Sequence, residues 1–225
     1  MTDSLRARLT VEFIGTALLL ATVIGSGIMG ERLFGNAAGL TLLVNTLATG
    51  AALVALILAF GPASGAHFNP AVTLAEAFLG GRSWGEALCY IAAQFAGGFL
   101  GVIAANAMFG LPGVFLSQHV RSGRAQLLSE FVATFGLLAV IQGCARVRST
   151  FSAFAVGAYV TAGYWFTAST CFANPAVTLA RSISNTFAGI RPADVPAFIA
   201  AQLLGAAAAT AISVWISPRR EKPAH

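Results

Sequence analysis

The sequence predicts an all-α membrane protein: six transmembrane helices and two re-entrant half-helices, arranged as an inverted repeat in a single domain over residues 1–225. Three observations carry the prediction. Hydrophobic residues make up 57% of the chain and charged residues 9%, where a soluble domain carries roughly 25% charged residues. Six apolar runs reach the ~18 residues that a bilayer crossing needs. One short motif occurs twice, as Ala66-His67-Phe68-Asn69-Pro70-Ala71-Val72-Thr73-Leu74-Ala75 and as Phe172-Ala173-Asn174-Pro175-Ala176-Val177-Thr178-Leu179-Ala180.

The apolar runs are, in order, about Leu9 to Met29, Gly39 to Phe60, Ala87 to Phe109, Leu127 to Cys144, Phe151 to Ala168 and Val195 to Ile216. Turn and interface residues separate them: Gly30-Glu31-Arg32, Gly80-Gly81-Arg82, Leu111-Pro112-Gly113, Arg146-Val147-Arg148 and Arg191-Pro192. Met1 to Leu9 is polar and basic without a small-residue cleavage site, so the first run is expected to be a retained helix.

Each copy of the motif should open a helix, because Asn is a preferred N-cap and Pro is tolerated at the first helical position. The apolar stretch that follows is about 10 residues, ~15 Å of helix, half of a hydrocarbon core. The copies follow the second and fifth runs. Glu12-Phe13 with Thr16 recurs as Glu130-Phe131 with Thr134, and Ala92-Ala93-Gln94 recurs as Ala200-Ala201-Gln202. The chain is therefore an internal repeat, approximately 9–110 and 125–217. Three spans and a half-helix per repeat make an odd number of crossings, so the second repeat is inverted. The half-helices then enter from opposite faces and their N-termini meet near mid-membrane, each with about half a positive charge from its peptide dipoles. Spare amide donors of Asn69 and Asn174 should face a shared lumen, because irregular backbone at that depth survives only along a watery cavity or inside protein. These constraints describe a narrow polar channel that opposes cations.

With both termini in the cytoplasm, eight basic residues lie inside (Arg6, Arg8, Arg82, Arg146, Arg148, Arg219, Arg220, Lys222) and five outside (Arg32, Arg121, Arg124, Arg181, Arg191), in the sense of the positive-inside rule. The net charge of +5 is scattered between apolar runs and builds no basic face, so it points to orientation in a lipid bilayer and not to nucleic acid. Three cysteines without ligand spacing imply neither a disulfide framework nor a metal site. No phosphate loop, zinc-protease or nucleophile-elbow motif is present, so neither catalysis nor a cofactor is expected.

These residues resemble the aquaporin and aquaglyceroporin family across nearly the whole chain: six spans, two Asn-Pro-Ala copies (Asn69, Pro70, Ala71; Asn174, Pro175, Ala176), Ser64-Gly65-Ala66-His67 before the first, and the Glu and Gln repeats. The resemblance implies passive conduction, a homotetramer with one pore per protomer, and residence in a plasma or bacterial inner membrane. It also implies a four-position selectivity filter that usually holds an arginine directly after the second Asn-Pro-Ala. Here Val177 holds that place, and counting from the two motifs puts the others at Thr49, Ala162 (or Gly163 after a one-residue shift) and Cys171. All are small and uncharged, so a filter wider than an arginine-and-aromatic one is expected. The Asp usual in glycerol facilitators is replaced by Thr178. A small-residue filter without arginine resembles bacterial aquaglyceroporins associated with metalloid resistance, which suggests arsenous and antimonous acids, with glycerol, urea and methylated arsenicals, as solutes.

Two readings stand for Arg181, four residues after Val177: a replacement for the missing arginine at the outer mouth, or a side chain snorkelling to the interface or binding loop carbonyls, which is preferred. Glu12 and Glu130, ionisable groups inside spans, are expected to accept N–H groups of the irregular loops before the half-helices, with Gln94 and Gln202 sharing the task. His67 is expected to line the pore. Cys171 reads as a small wall residue whose thiol could also bind soft metals. A rival class, a proton- or ion-coupled secondary transporter, also uses broken helices, but no acidic pair accompanies them here.

Overall fold

The computed structural model describes residues 4–147 and 151–216; Arg148, Arg219, Arg220 and Lys222 of the charge reading lie outside them. The described residues form eight α-helices: α1 (Leu5–Phe34), α2 (Ala38–Ser64), α3 (Pro70–Phe78), α4 (Trp84–Met108), α5 (Arg124–Val147), α6 (Ser152–Phe166), α7 (Pro175–Ala180) and α8 (Val195–Ile216). α1, α2, α4, α5 and α8 are long and apolar enough to cross a membrane. The expected sixth span, α6, is helical for 15 residues, about 22 Å. It stops where Thr167 turns extended and turns its hydroxyl back onto Gly163 O at 2.6 Å. The half-helices are also shorter than expected. α3 has nine residues and α7 six, α7 continuing as a 3-10 turn over Arg181–Ile183.

Glycines set how closely the long helices approach. A Cβ on Gly97 of α4 would sit 2.2 Å from Phe13 O of α1, and one on Gly205 of α8 would sit 2.4 Å from Phe131 O of α5. Phe13 and Phe131 are themselves repeat-equivalents, so the same backbone-to-backbone contact is made once in each half. Small residues are how membrane helices pack when lipid offers no hydrophobic drive. Loop 109–123 folds over the second half-helix: Phe115 and Ser117 N–H donate to Ile183 and Ser182 carbonyls at 3.0 and 2.9 Å.

A candidate pore between the two half-helices

Asn69 and Asn174 both have extended backbones, φ −154° and −157°, and each is followed by Pro at N1. Their Oδ1 atoms accept the N–H of Ala71 and Ala176 at 2.9 Å, and that of Asn174 also accepts Val177 N–H at 3.2 Å, capping otherwise orphan donors at each helix start. With Oδ1 committed, Nδ2 must look elsewhere. Asn69 Nδ2 donates to Ala173 O and Asn174 Nδ2 to Phe68 O, both at 2.8 Å. The half-helices thus meet N-terminus to N-terminus. An amide nitrogen carries two hydrogens, so one of each pair clamps the repeats together. Only the other is left for the cavity that both asparagines line. The sequence had assigned these donors to the lumen alone. Loop carbonyls of the opposite repeat, brought close only by the fold, claim half of them.

The loops entering the half-helices are held against strain. Ala66 and Phe68 have φ of 48° and 49°, and their repeat-equivalents Cys171 and Ala173 have 52° and 48°. A left-handed non-glycine residue costs roughly 1–3 kcal/mol and persists only where its surroundings over-determine it. A buried carboxylate does this in each half. Glu12 accepts Ser64 Oγ–H at 2.6 Å, His67 N–H at 3.0 Å, Phe68 N–H at 2.8 Å and Gln94 Nε2–H at 2.8 Å. Glu130 accepts Phe172 and Ala173 N–H at 3.0 Å and Gln202 Nε2–H at 2.5 Å. Gln94 and Gln202 also donate to Thr73 and Thr178 hydroxyls at 2.9 and 2.7 Å, tying each loop's carboxylate to its half-helix.

A cavity of about 410 Å³ runs along this junction. Thr49, Cys171 and Val177 line it, as does Tyr164, whose hydroxyl lies 3.2 Å from that of Thr49. Ala162 does not line it: its side is exposed on the outer surface of α6. Val156, Val160 and Tyr164, spaced four apart, form the inward face of that helix, and Ala162 lies on the opposite side. Gly163 is buried behind the wall, where a Cβ would come within 2.5 Å of Cys171 Sγ. The α6 residue that faces the cavity is therefore the aromatic Tyr164 and not the small Ala162 that counting from the motifs gave. Counting from the motifs could not set the phase of α6, because Thr167–Ala173 between it and α7 is irregular.

His67 lines the cavity. Its Nδ1 is 3.0 Å from Thr73 Oγ1, and that hydroxyl already donates to Asn69 O at 3.1 Å. The bond pattern assigns the proton to Nδ1 and leaves Nε2 as an acceptor.

Arg181 also lines the cavity. It is 2% exposed, so it does not snorkel. Its Nε donates to Ala188 O, as expected of a loop-binding arginine. Its Cζ also stands 3.4 Å from the centroid of the Phe172 ring, while Arg121 Cζ stands 4.9 Å from the same ring. No carboxylate among the described residues pairs with Arg181.

The sequence matches the major intrinsic protein family over residues 2–171. The chain belongs to that family. Relatives include the aquaglyceroporin AqpS of Rhizobium meliloti, 51% identical over 94% of this chain and 91% of the relative. A glycerol uptake facilitator protein of Streptococcus pneumoniae is 32% identical over 66% and 70%. The fold matches the X-ray structure of the aquaglyceroporin from Plasmodium falciparum with a TM-score of 0.73, 18% identity and coverage of 96% and 98%.

As a major intrinsic protein this chain is a multi-pass membrane channel and not an enzyme. Two residues escaped the sequence reading: Tyr164, which lines the cavity, and Arg121, which stands over the ring of Phe172 in its wall. Tyr164 could have been found from the four-residue spacing of Val156 and Val160. Arg121 could not, because its burial is created by long-range contacts: its guanidinium donates to Gly189 O at 2.8 Å and Ser169 O at 3.2 Å.

Proposed function

We propose that this channel passively conducts small uncharged solutes: water, glycerol, urea and metalloid hydroxides such as arsenous and antimonous acid, with methylated arsenicals as further cargo. The observation that carries the reading is Val177, an aliphatic side chain lining the cavity beside Thr49 and Cys171 where the family resemblance leads one to expect an arginine. A valine leaves room for a hydroxylated solute wider than water. Thr49, Tyr164 and the free hydrogen of each asparagine amide supply hydrogen bonds that replace those lost to water on entry. The names of its relatives, an aquaglyceroporin and a glycerol facilitator, support the glycerol class. The protein sits in a plasma or bacterial inner membrane as a homotetramer with both termini cytoplasmic, one pore per protomer, and its two repeats form a single domain.

The test is stopped-flow light scattering on proteoliposomes across water, glycerol, urea and arsenite, with Val177→Arg alongside. Wild type should conduct all four, with flux linear in concentration and indifferent to uncouplers. Val177→Arg should keep water and lose most of the larger solutes. Saturating, uncoupler-sensitive flux would instead identify a secondary transporter. Arsenite flux equal to that of empty liposomes would remove the metalloids.

A further inference from the structure

The two repeats differ behind their half-helices. α7 is backed closely by protein: a Cβ on Gly98 of α4 would stand 3.3 Å from Ala180 Cβ and 3.5 Å from Ala176 O. The equivalent residues of α3, Ala71 and Ala75, look toward α8 instead across a groove of about 610 Å³. The sequence explains the opening. Gly97 of α4 and Gly205 of α8 are repeat-equivalents, so Phe99 and Ile103 of α4 correspond to Ala207 and Ala211 of α8. Phe99 packs partly buried against the core, whereas Ala207 and Ala211 are exposed and line the groove.

The lining is apolar except for Thr210, whose hydroxyl is engaged by Gln142 Nε2 at 3.2 Å. A groove with so few polar partners does not hold water, and an empty one would forfeit the dispersion contacts of its walls.

Its dimensions select the occupant. Along α8 the groove runs from Leu203 to Val214, ~16 Å at 1.5 Å per residue, and the hydrocarbon of one leaflet is about 15 Å thick, half of the core. The inner end lies at Ala71, next but one to the Asn69 cap where the half-helices meet. The outer end lies at Trp84, 56% exposed, beside its neighbour Ser83 and the ion pair of Arg8 with Glu86. An exposed tryptophan among charged groups marks a headgroup boundary. A helix of a second copy would seek contact across the whole ~30 Å core. A groove that reaches from one headgroup level to the membrane centre fits a single hydrocarbon chain.

We infer that the groove between α3 and α8 binds one acyl chain of a membrane phospholipid, which backs the first half-helix as α4 backs the second. The headgroup sits at the level of Trp84, and the chain lies along Ala207 and Ala211 to reach Ala71. The inference depends on the membrane-spanning fold and is independent of which solutes the pore conducts.

The test introduces Ala207→Phe and Ala211→Ile together, which writes the α4 side chains into α8. Both positions are exposed, so the added groups enter the groove and not the core. Full-length protein is stripped of lipid in detergent, supplied with dioleoyl phosphatidylcholine, and followed by native mass spectrometry and thermal unfolding. Wild type should retain one phospholipid per protomer, and its melting temperature should rise by about 5–10 °C with lipid at ~100 times its dissociation constant. The double variant should retain none and melt at one temperature with or without lipid. Leu204→Phe, on the exposed surface of α8 outside the groove, should behave as wild type. A second measurement leaves the groove intact: with Trp165→Phe and Trp215→Phe, Trp84 is the one tryptophan left of three, and a phosphatidylcholine brominated in its acyl chains should quench it, saturating at one lipid per protomer. Lipid retention or lipid-dependent melting that is unchanged in the double variant overturns the inference, as does quenching that grows without saturation. A double variant that loses its oligomeric state and keeps its lipid would assign the groove to a second copy and equally overturn it.

Discussion

Replacing Glu130 by alanine should destabilise the second re-entrant loop more than any other single truncation in the repeat. The side chain is fully buried, and its removal strands three donors: the N–H groups of Phe172 and Ala173 and the Gln202 amide. A buried donor left without a partner costs roughly 1–3 kcal/mol, so the three together cost about 3–9 kcal/mol, with the lower end favoured because the adjoining cavity can admit water. Cys171 and Ala173, left-handed at φ 52° and 48°, also lose the group that holds them. Taking ~3 kcal/mol, and ~2–4 °C of melting temperature per kcal/mol for a chain of this size, the midpoint should fall by about 6–12 °C. Glu130→Gln keeps the shape and one acceptor and should lose about half as much. Thermal unfolding of purified protein in detergent, followed by tryptophan fluorescence, reads the stability. Glycerol flux per reconstituted copy reads the pore. A Glu130→Ala protein with wild-type melting temperature and flux would refute the claim that the carboxylate holds the loop.

Three further outcomes follow from the same geometry. Gly97→Ala forces a Cβ to 2.2 Å from the Phe13 carbonyl; overpacking of this kind costs about 1–3 kcal/mol, measurable as a lowered melting temperature, and Gly205→Ala should behave alike. Cys171 lines the cavity, so a mercurial should block solute flux, and Cys171→Ser should abolish the block. His119 lies in loop 109–123, where partial burial, then the positive charges of Arg121 and Arg181, hold its imidazole below the ordinary 6.5. A depressed histidine contributes stability that is fully present above the unfolded value and is lost as pH falls through the lower native value. The melting temperature of wild type should therefore drop on acidification below about pH 6.5 more than that of His119→Gln.

Local chemistry made much of this protein legible without coordinates. Asn69-Pro70 and Asn174-Pro175 start helices because cap and imino ring act within one turn, and the carboxylates and amides at 12, 94, 130 and 202 recur because each half solves the same problem of holding an irregular loop. The phase of α6 was not legible. A one-residue slip rotates a helix face by about 100°, and the irregular segment 167–173 erases the register that counting needs, so Ala162 was placed where Tyr164 stands. The fate of Arg181 was likewise set by neighbours distant in sequence: Phe172 beneath its guanidinium and loop 109–123 over its turn.

The sequence alone determined the membrane class, the repeat and the capped half-helices, since each depends on composition or on residues within a turn of one another. The tertiary structure alone decided which asparagine hydrogens clamp the repeats, which aromatic of α6 lines the cavity, and that Glu76 and Arg181 face that same cavity. Those outcomes depend on where two separately encoded halves come to rest against each other, and long-range packing carries no local signature in the chain.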